Sequence, residues 1–238
     1  MEKLADWIKN ANYTVVMTGA GMSTESGVPD FRSNKGIWKD RDPIALASTE
    51  ALQYNREAFF SFYQLRIKSL EEVKPNNGHY TLADWEHHGL LQSLITQNVD
   101  DLHSKAGSRN MAELHGSIAE LRCHDCGYQI SSEAYLENNT TCPKCGGFFR
   151  PNVVLFGEML PEKAIQFAQQ ETAKADLFIV LGSSLSVAPA SAFPAEAKEN
   201  GAKLVIINKT TTELDDHADL VIQERSISEV LEETNKFL

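Results

Sequence analysis

Five short apolar runs along the chain predict the strands of a buried sheet. They are rich in β-branched residues, and longer stretches of helical pattern separate them. Their sequences are TVVMTG at 14–19, SLITQN at 93–98, LFIVLGSS at 177–184, KLVIIN at 203–208 and LVIQ at 220–223. Because the runs are almost continuously apolar rather than alternating, they favour parallel strands covered by helices on both faces. The pattern therefore predicts an α/β fold.

Polar residues follow four of these runs, at the point where each predicted strand ends. They are Thr18-Gly19-Ala20-Gly21, Thr96-Gln97-Asn98, Gly182-Ser183-Ser184 and Asn208. In a doubly wound parallel sheet the ligand binds beyond the carboxyl ends of the strands. We therefore expect a Rossmann-like, doubly wound sheet in which one crevice collects these residues.

The four cysteines form two pairs, Cys123-x2-Cys126 and Cys142-x2-Cys145, with 15 residues between them. This spacing is typical of a four-thiolate zinc site, and the glycine after each pair allows a tight turn. Two disulfides or four unrelated buried cysteines are the alternatives, but paired spacing in a chain without a recognisable signal peptide favours zinc. Four sulfurs leave no open position on the ion, so we expect a structural metal, with His124 as a spacer rather than a ligand.

Two stretches interrupt the alternation of strands and helices, and we interpret them as insertions that build a smaller lobe. One is helical and aromatic-rich, at approximately 34–79, and the other is the zinc ribbon, at approximately 120–150. The remaining segments, approximately 1–33, 80–119 and 151–238, are expected to form the Rossmann-like lobe. The 238 residues are then one domain with two lobes.

Charge and hydropathy exclude some classes of partner. The net charge is -11 with a pI near 5.1, whereas binding to nucleic acid requires concentrated Lys and Arg. No window approaches about 20 consecutive apolar residues, so no membrane partner is expected. We expect a cytoplasmic protein. The sequence does not set the oligomeric state, and a monomer is compatible with it.

The predicted first strand leads into the glycine-rich segment GAGMSTESG at 19–27. A glycine turn ahead of a helix can present bare backbone N–H groups to a pyrophosphate, although such a loop is also common as a simple tight turn. Thr24 replaces the third glycine of the dehydrogenase fingerprint, and no acidic residue ends a second strand about 20 positions later. An ordinary dehydrogenase is therefore disfavoured.

The next segment, SGVPDFRS at 26–33, places a rigid proline, an aromatic ring and a guanidinium beside this expected phosphate site. Such a density of functional residue types is typical of lids and binding loops. In the alternative, Phe31 fills the core and Asp30 pairs with Arg32.

These segments, together with others further along the chain, resemble the ordered motif set of the sirtuins, the NAD-dependent protein deacylases, in a short bacterial-type form. The segments are GAGMSTESGVPDFRS at 19–33, TQNVDDLH at 96–103, ELHG at 113–116, the two CxxC pairs, RPNVVLFGE at 150–158 and GSSLSVAP at 182–189. The match extends over nearly the entire chain, and the agreement in order makes it far more specific than any one motif.

The resemblance implies an NAD-dependent protein lysine deacetylase that transfers the acyl group of lysine to ADP-ribose, with release of nicotinamide and O-acetyl-ADP-ribose. In this family the acyl oxygen attacks the ribose C1′, and a histidine deprotonates a ribose hydroxyl. The resemblance assigns this base to His115, and an imidazole that titrates near neutral pH suits the role. We expect Gly116, which follows it, to allow close approach of a substrate. Asn98 and Asp100 correspond to the family's catalytic pair beside the nicotinamide and its ribose.

The resemblance also implies the residues that bind NAD, the co-substrate. Phe31 would shield the reacting centre from water, and Ser183, Ser184 and Asn208 would hold the adenosine half. The expected NAD contacts are Gly19, Ala20, Gly21, Thr24, Asp30, Phe31, Arg32, Gln97, Asn98, Val99, Asp100, His115, Gly182, Ser183, Ser184, Asn208 and Ile227.

The expected protein substrate carries an acylated lysine and lies between the two lobes. The segment at 153–158 is similar to the family segment that adds main-chain hydrogen bonds to an extended peptide, and it also has the pattern of a buried strand. Its expected substrate contacts are Val153, Val154, Phe156, Gly157 and Glu158. Tyr63 and Arg66 have the Tyr-x-x-Arg spacing with which some sirtuins bind the carboxylate of succinyl or malonyl lysine, which indicates an alternative acyl preference.

Two other functions compete with the deacylase. One is mono-ADP-ribosyl transfer or simple NAD hydrolysis, which would release nicotinamide without acyl-lysine. The other is a non-catalytic zinc module that senses NAD, although the complete set of His115, Asn98 and Asp100 argues against an inactive scaffold.

Overall fold

The computed structural model describes residues 1–31, 36–37, 39 and 42–238, and this part of the chain contains two sheets. The strands are β1 (Thr14–Thr18), β2 (Ser93–Thr96), β3 (Met111–Glu113), β4 (Gly116–Cys123), β5 (Gln129–Ser131), β6 (Phe149–Val153), β7 (Leu177–Leu181), β8 (Lys203–Ile207) and β9 (Leu220–Ile222). The helices are α1 (Glu2–Asn10), α2 (Pro43–Ala47), α3 (Thr49–Tyr54), α4 (Arg56–Leu70), α5 (Asn77–His87), α6 (Leu102–Ala106), α7 (Glu133–Leu136), α8 (Glu162–Lys174), α9 (Phe193–Glu199) and α10 (Ile227–Asn235). Short 3₁₀ helices cover Ala20–Ser26, Ala190–Ala192 and Asp215–His217.

The larger sheet has six strands in the order β3-β2-β1-β7-β8-β9, and all neighbouring pairs are parallel. The chain builds outward from β1 to β3 on one side and then crosses to β7 on the other. The strand order therefore reverses between β1 and β7, which is where such sheets bind ligands. Thr18 lies opposite both Thr96 and Leu181, so the residues that follow these strands leave the same edge of the sheet.

Helices cover both faces of this sheet, which explains why its strands are apolar throughout. On β7, Ile179 packs into a core on the side of α1, α5 and α10, whereas Phe178 and Val180 pack into a second core on the side of α8 and α9. All five residues of β1 and of β7 are buried. The predicted Rossmann-like α/β class is confirmed.

The five predicted strands are all present, and β3 is an additional edge strand. Its sequence, Met111-Ala112-Glu113, contains one buried residue between two that are half-buried. Three residues with this pattern give no periodic signal, so the sequence did not indicate a strand here.

The smaller lobe combines an antiparallel sheet, in the order β5-β4-β6, with the short helices α2 to α4 and α7. One apolar core joins them, in which Phe59 and Phe62 of α4 meet Leu121 of β4 and Phe149 of β6. The zinc-ribbon segment is thus packed onto the helical insertion rather than onto the large sheet. The boundaries proposed above for the lobes stay a prediction.

Within the described residues, no helix has both the length and the apolar character that crossing a bilayer requires.

Candidate functional site

Two glycine loops meet at the point where the strand order reverses. Gly19 N–H donates to the Leu181 carbonyl oxygen at 3.0 Å, and Gly21 N–H donates to that of Gly182 at 2.9 Å. A Cβ atom on Gly21 would lie 2.7 Å from the Gly182 Cα, and Gly182 itself has φ +62°. The glycines are therefore required by the contact between the two loops.

This arrangement limits the expected role of the first loop. We expected a glycine turn ahead of a helix to present bare N–H groups to a pyrophosphate, but the N–H groups of Gly19 and Gly21 are bonded within the protein. A pyrophosphate contact by the rest of the loop stays a prediction. The segment Ala20–Ser26 is a 3₁₀ helix of seven residues rather than an α-helix. Thr24 supports it, because its hydroxyl donates to the Gly21 carbonyl oxygen at 2.9 Å.

Several predicted site residues line one cavity beside this loop. Its lining comprises Ala20, Ser23, Val28, Pro29, Phe31, Arg66, Asn98, Val99 and Asp100. These residues come from separate parts of the chain, including the loops after β1 and β2. The structure thus brings together residues from both lobes that the sequence marked individually.

The loop after β2 supplies Asn98 and Asp100, which are both buried. The Asn98 Nδ2 donates to the Gly19 carbonyl oxygen at 3.1 Å and to the Ser23 hydroxyl at 3.2 Å, so the amide is held in one orientation. The Asp100 carboxylate accepts a hydrogen bond from Leu102 N–H at 3.1 Å, at the start of α6. Both side chains are therefore fixed before any ligand binds.

His115 lies in the two-residue connection between β3 and β4. Its Nδ1 is 2.9 Å from the carbonyl oxygen of Gln97, the residue before Asn98, which lines the cavity. A carbonyl oxygen only accepts, so Nδ1 carries the proton and Nε2 has a free lone pair. Burial lowers the pKa of His115, outweighing the opposing effect of the Gln97 hydrogen bond, and the ring is therefore neutral at pH 7.

Gly116 serves packing rather than access to the substrate. We expected it to let a substrate approach His115, but its φ is +73° and an added Cβ would lie 2.1 Å from the Asn152 carbonyl oxygen. The close neighbour is thus the backbone of β6. Gly116 lets β4 begin directly against that strand.

The residues expected at the adenosine half follow β7 and β8. The Ser183 hydroxyl accepts from the Gln97 Nε2 at 2.9 Å, which links this end of the site to the loop that contacts His115.

The other residues expected at the adenosine half contact their own neighbours. Ser184 is exposed, and its hydroxyl is 2.8 Å from that of Ser186. The Asn208 Nδ2 donates to the Thr210 carbonyl oxygen at 2.8 Å. Ile227 is the first residue of α10, and its side chain is buried in the core.

The expected substrate segment leaves β6 at Val153 and is then held by its neighbours. Val154 N–H donates to the His115 carbonyl oxygen at 2.9 Å, and Phe156 N–H to that of Ala47 at 3.0 Å. In return, Thr49 N–H donates to the Phe156 carbonyl oxygen at 3.1 Å, and Gly157 turns the chain with φ +92°. Phe156 itself is 46% exposed, so it faces the surface near the site.

Tyr63 and Arg66 lie on one face of α4 but in different surroundings. Tyr63 is buried against Phe59, with ring centroids 4.7 Å apart, and burial raises its pKa to about 12. The Arg66 guanidinium lies 5.6 Å from the Phe31 ring centroid and lines the cavity. In the described part of the chain it forms no ion pair. Burial lowers the pKa of Arg66, and the nearby Asp100 carboxylate opposes this shift only in part.

The four cysteines cluster as a metal site requires. Their Sγ atoms all lie within 4.8 Å of one another, with 3.4 Å between Cys123 and Cys145 and 3.7 Å between Cys126 and Cys142. Tetrahedral zinc with bonds of about 2.3 Å places sulfurs about 3.8 Å apart, so the four residues fit the ion. All four thiols are free, which argues against the disulfide alternative.

The backbone prepares both halves of this cluster in the same way. Gly127 N–H donates to the Cys123 carbonyl oxygen at 3.0 Å, and Gly146 N–H to that of Cys142 at 2.9 Å. The two glycines have φ +73° and +76°, with open space where a Cβ would stand. The glycine after each pair is thus needed for its backbone conformation, as the sequence predicted.

Sequence reasoning missed a buried polar chain behind the site. The Thr18 hydroxyl donates to the Thr96 hydroxyl at 2.8 Å and is 3.0 Å from the His103 Nε2. The Thr96 hydroxyl accepts from Asn98 N–H at 3.0 Å, so this chain supports the Asn98 backbone. The paired threonines at two strand ends were the available signal.

Two further NAD contacts were predicted in the segment after the glycine loop. Arg32 lies outside the described residues. Asp30 is half-buried, and its carbonyl oxygen accepts from Ile37 N–H at 2.8 Å.

Residues 19–189 match the model of the Sir2 family. The chain is 54% identical over 236 residues to "NAD-dependent protein deacetylase 1" of Geobacillus kaustophilus, a match that covers 99% of this chain and 97% of that protein. It is 52% identical over 229 residues to the "NAD-dependent protein deacetylase" of Oceanobacillus iheyensis, covering 96% of this chain and 97% of the relative.

Solved structures agree over almost the full length. A crystal structure described as a Sir2 homolog–NAD complex superposes with a TM-score of 0.93 at 39% identity, covering 99% of this chain and 93% of that one. A "Sir2-p53 peptide-NAD+" complex superposes with a TM-score of 0.90 at 36% identity, covering 99% and 97%. The chain belongs to the Sir2 family.

Proposed function

We propose that this protein is an NAD-dependent protein lysine deacetylase. The observation that carries the proposal is the neutral His115 ring, held by Gln97 beside the cavity that Ala20, Phe31 and Asn98 line. The relatives described as NAD-dependent protein deacetylases cover almost the whole chain and support the same activity. The complexes of similar structures with NAD and with a p53 peptide support both substrates.

His115 acts as the general base. Its protonated Nδ1 is fixed on the Gln97 carbonyl oxygen, so Nε2 is the atom that accepts a proton from a ribose hydroxyl. The lowered pKa keeps this nitrogen unprotonated at neutral pH. The deprotonated hydroxyl attacks the acyl carbon, which by then is bonded through its oxygen to C1′. The bond from this carbon to the lysine nitrogen breaks, lysine leaves as the free amine, and a water molecule supplies the oxygen that completes O-acetyl-ADP-ribose.

Asn98, Asp100 and Phe31 prepare the glycosidic bond for cleavage. Because the Asn98 amide nitrogen is committed to Gly19 and Ser23, its oxygen is the atom that orients a ribose hydroxyl or a water molecule. The second oxygen of the Asp100 carboxylate can accept from the nicotinamide carboxamide. The Phe31 ring excludes water while the acyl oxygen replaces nicotinamide at C1′.

The acyl-lysine enters between the lobes, along the segment at 153–158. The amides of Val154, Leu155 and Phe156 are already bonded inside the protein. The Val154 carbonyl oxygen accepts no hydrogen bond from the described residues, so it is the acceptor that we assign to the substrate's amide N–H. We place the exposed face of Phe156 against the lysine stem.

Zinc, held by Cys123, Cys126, Cys142 and Cys145, supplies no chemistry to the reaction and instead fixes the fold of the small lobe. Free thiols in this arrangement suit a reducing compartment, and a cytoplasmic location is part of the proposal. The proposed partners are proteins with acylated lysines, and the net charge of -11 disfavours nucleic acid.

Mass spectrometry of the products tests this function directly. Purified protein is incubated with NAD and an acetyl-lysine peptide, with His115→Tyr as the control. We expect deacetylated peptide and O-acetyl-ADP-ribose in equal amounts, and neither product from the variant. Nicotinamide release without acyl-lysine would indicate NAD hydrolysis or ADP-ribosyl transfer, and NAD binding without turnover would indicate a sensor.

A second candidate is preference for succinyl or malonyl lysine, and Arg66 favours it. This guanidinium lines the reaction cavity, is partly withdrawn from water and has no carboxylate in ion-pair contact within the described residues. A partly buried cation of this kind is suited to an anionic ligand. Tyr63 is buried one turn away against Phe59 and is not among the residues that line the cavity.

Replacement of Arg66 by Met separates the two acyl preferences. We expect loss of desuccinylation with deacetylation retained. Equal loss of both activities would instead mean that Arg66 serves Phe31, on which it stacks.

A further inference from the structure

Arg150 is a fully buried guanidinium, which is unusual because removing a cation from water is costly. It forms two parallel hydrogen bonds to Glu158, from Nη1 to Oε1 at 2.5 Å and from Nη2 to Oε2 at 2.9 Å. Nη2 also donates to the Val153 carbonyl oxygen at 2.5 Å, and Nε to that of Pro151 at 3.3 Å. Arg150 is therefore bonded to both ends of the segment at 153–158.

Both carboxylate oxygens of Glu158 likewise accept hydrogen bonds from the protein. Its Oε2 accepts from Leu155 N–H at 2.9 Å, while its own N–H donates to the Leu155 carbonyl oxygen at 3.0 Å. Its Oε1 also lies 3.5 Å from the Arg122 Nη2. Burial opposes ionisation of Glu158, but the bonds from Arg150 and Leu155 outweigh it and hold its pKa below the usual range.

The two guanidiniums come from the small sheet next to the cysteine cluster. Arg122 and Arg150 are register partners on β4 and β6, and Cys123 follows Arg122 directly. Glu158 is the shared counter-ion of these two like charges. It thus ties the segment at 153–158 to strands that the metal site fixes.

The tie also reaches the catalytic base. Val154 lies between Val153, whose carbonyl oxygen accepts from Arg150, and Leu155, whose N–H donates to Glu158. The N–H of Val154 itself donates to the His115 carbonyl oxygen at 2.9 Å. Val153 is in turn the register partner of Gly116, the residue after His115. A shift in the segment would therefore move both the peptide-binding backbone and the backbone of His115.

We propose that Arg150 and Glu158 form a clamp that sets the backbone of the segment at 153–158, so that Glu158 is a positioning residue rather than a contact to the peptide substrate. This inference rests on the proposed function, and it revises the expectation that Glu158 binds the peptide. Both carboxylate oxygens already have partners in the protein, which leaves no acceptor directed at a ligand.

Steady-state kinetics of Glu158→Gln, Arg150→Met and the double variant test the clamp. The amide retains the shape of the side chain but removes the charge that holds Arg150. We expect the KM for acetyl-peptide to rise by about tenfold, as for loss of a charge-assisted hydrogen bond, with a much smaller change in the KM for NAD. The effects should be strongly non-additive, because both changes remove the same pair.

Asp219→Asn is the matched control. Like that of Glu158, its carboxylate accepts from a cation and from a backbone amide. These are Lys198 at 2.6 Å and Leu204 at 2.8 Å, at the amino end of β8. We expect unchanged KM values for both substrates. An equal rise of the KM for acetyl-peptide in Asp219→Asn and in Glu158→Gln would mean that the ion pair only stabilises the protein in general. This result would overturn the proposal.

Two peptides distinguish the clamp from a direct contact. If Glu158 bound the substrate, the loss would be confined to peptides with a basic residue beside the acyl-lysine, and Arg150→Met would not reproduce it. The clamp predicts the same loss with basic and neutral peptides in both variants.

Hydrogen exchange gives a readout that does not depend on turnover. In Glu158→Gln we expect at least about tenfold faster exchange at the Leu155 amide, with exchange in β7 unchanged. Unchanged exchange at Leu155 would overturn the clamp whatever the kinetics. Absence of wild-type activity would instead refute the proposed function, and the exchange result would still decide the inference.

Discussion

The two lobes are stabilised by different means. In the large sheet, the central strands β1 and β7 are buried at every position and have an apolar core on each face. In the small sheet, β5 has two exposed residues out of three. Four thiols and the ion pair of the buried Arg150 with Glu158 supplement a single core. The cofactor side of the site therefore rests on hydrophobic burial, whereas the peptide side depends on metal and charge.

This difference matters because the site is shared by both lobes. Asn98, Asp100 and the glycine loops belong to the large sheet, whereas Arg66, Phe156 and Glu158 are positioned by the small lobe. A disturbance of the small lobe should therefore affect peptide binding first, and one in the large sheet should affect the entire molecule.

Zinc removal should have the largest effect and should be confined to the small lobe. Structural zinc in small modules contributes on the order of 10 kcal/mol of binding free energy, and β5 has little core of its own to replace it. After chelation, or in Cys126→Ser, we expect amide protection in β4 to β6 to be lost while β1 and β7 retain theirs. Hydrogen exchange with mass spectrometry measures both regions in one sample, and simultaneous loss in both lobes would refute the division.

Truncation of a core phenylalanine should destabilise either lobe, but only one of the two changes should alter metal binding. We expect Phe178→Ala, in the large sheet, to lower the free energy of unfolding by about 3–5 kcal/mol without changing zinc affinity. Phe149→Ala, in the small lobe, should cost a similar amount and also weaken zinc binding, because β6 follows the second cysteine pair. Denaturant titration with zinc competition checks both, and equal zinc affinity in the two variants would contradict the prediction.

Gly21→Ala should separate the two glycine loops. The new Cβ would be 2.7 Å from the Gly182 Cα, so we expect a loss of about 1–3 kcal/mol of stability and a raised KM for NAD. Gly89→Ala is the control, since Gly89 has φ +74° with open space around it and lies away from the site. Gly89→Ala should lose about 1–2 kcal/mol of stability from backbone strain and keep the wild-type KM for NAD. A raised KM for NAD in both variants would mean that backbone strain alone causes the effect.

The pH dependence of kcat/KM should be the mildest of these effects. The pKa of His115 is lowered in the folded protein, so the ring remains neutral, and active as a base, over the whole range above the ordinary histidine value. We expect a flat profile from about pH 7 to 8 and a decline that begins only below about pH 6.5. The stabilising contribution of the neutral ring should likewise diminish as the pH falls through this lower range. A decline centred above pH 7 would contradict the assignment.

Local patterns predicted the features that depend on neighbours in sequence. The apolar runs indicated five of the six strands of the large sheet, and the paired cysteines with their glycines indicated the cluster in the small lobe. Long-range contacts were not visible in this way. The packing of Gly21 on Gly182 and of Gly116 on Asn152 depends on pairs far apart in the chain, so both glycines were given roles toward ligands instead.

The same reason explains the ion pairs. Nothing local in RPNVVLFGE indicates that Arg150 is buried or that Glu158 faces inward, because both facts depend on how β6 packs against β4. The resemblance identified the segment as functional, but only the contacts indicate that Arg150 and Glu158 hold its backbone rather than bind the peptide.

Nitrogen-15 NMR of the histidine side chains, with His115→Gln to assign the signal, tests the central claim most directly. At about pH 7.5 we expect a neutral His115 ring with the proton on Nδ1 and a free lone pair on Nε2. A protonated Nε2, either in the other neutral tautomer or in the imidazolium form, would contradict the assignment of His115 as the base.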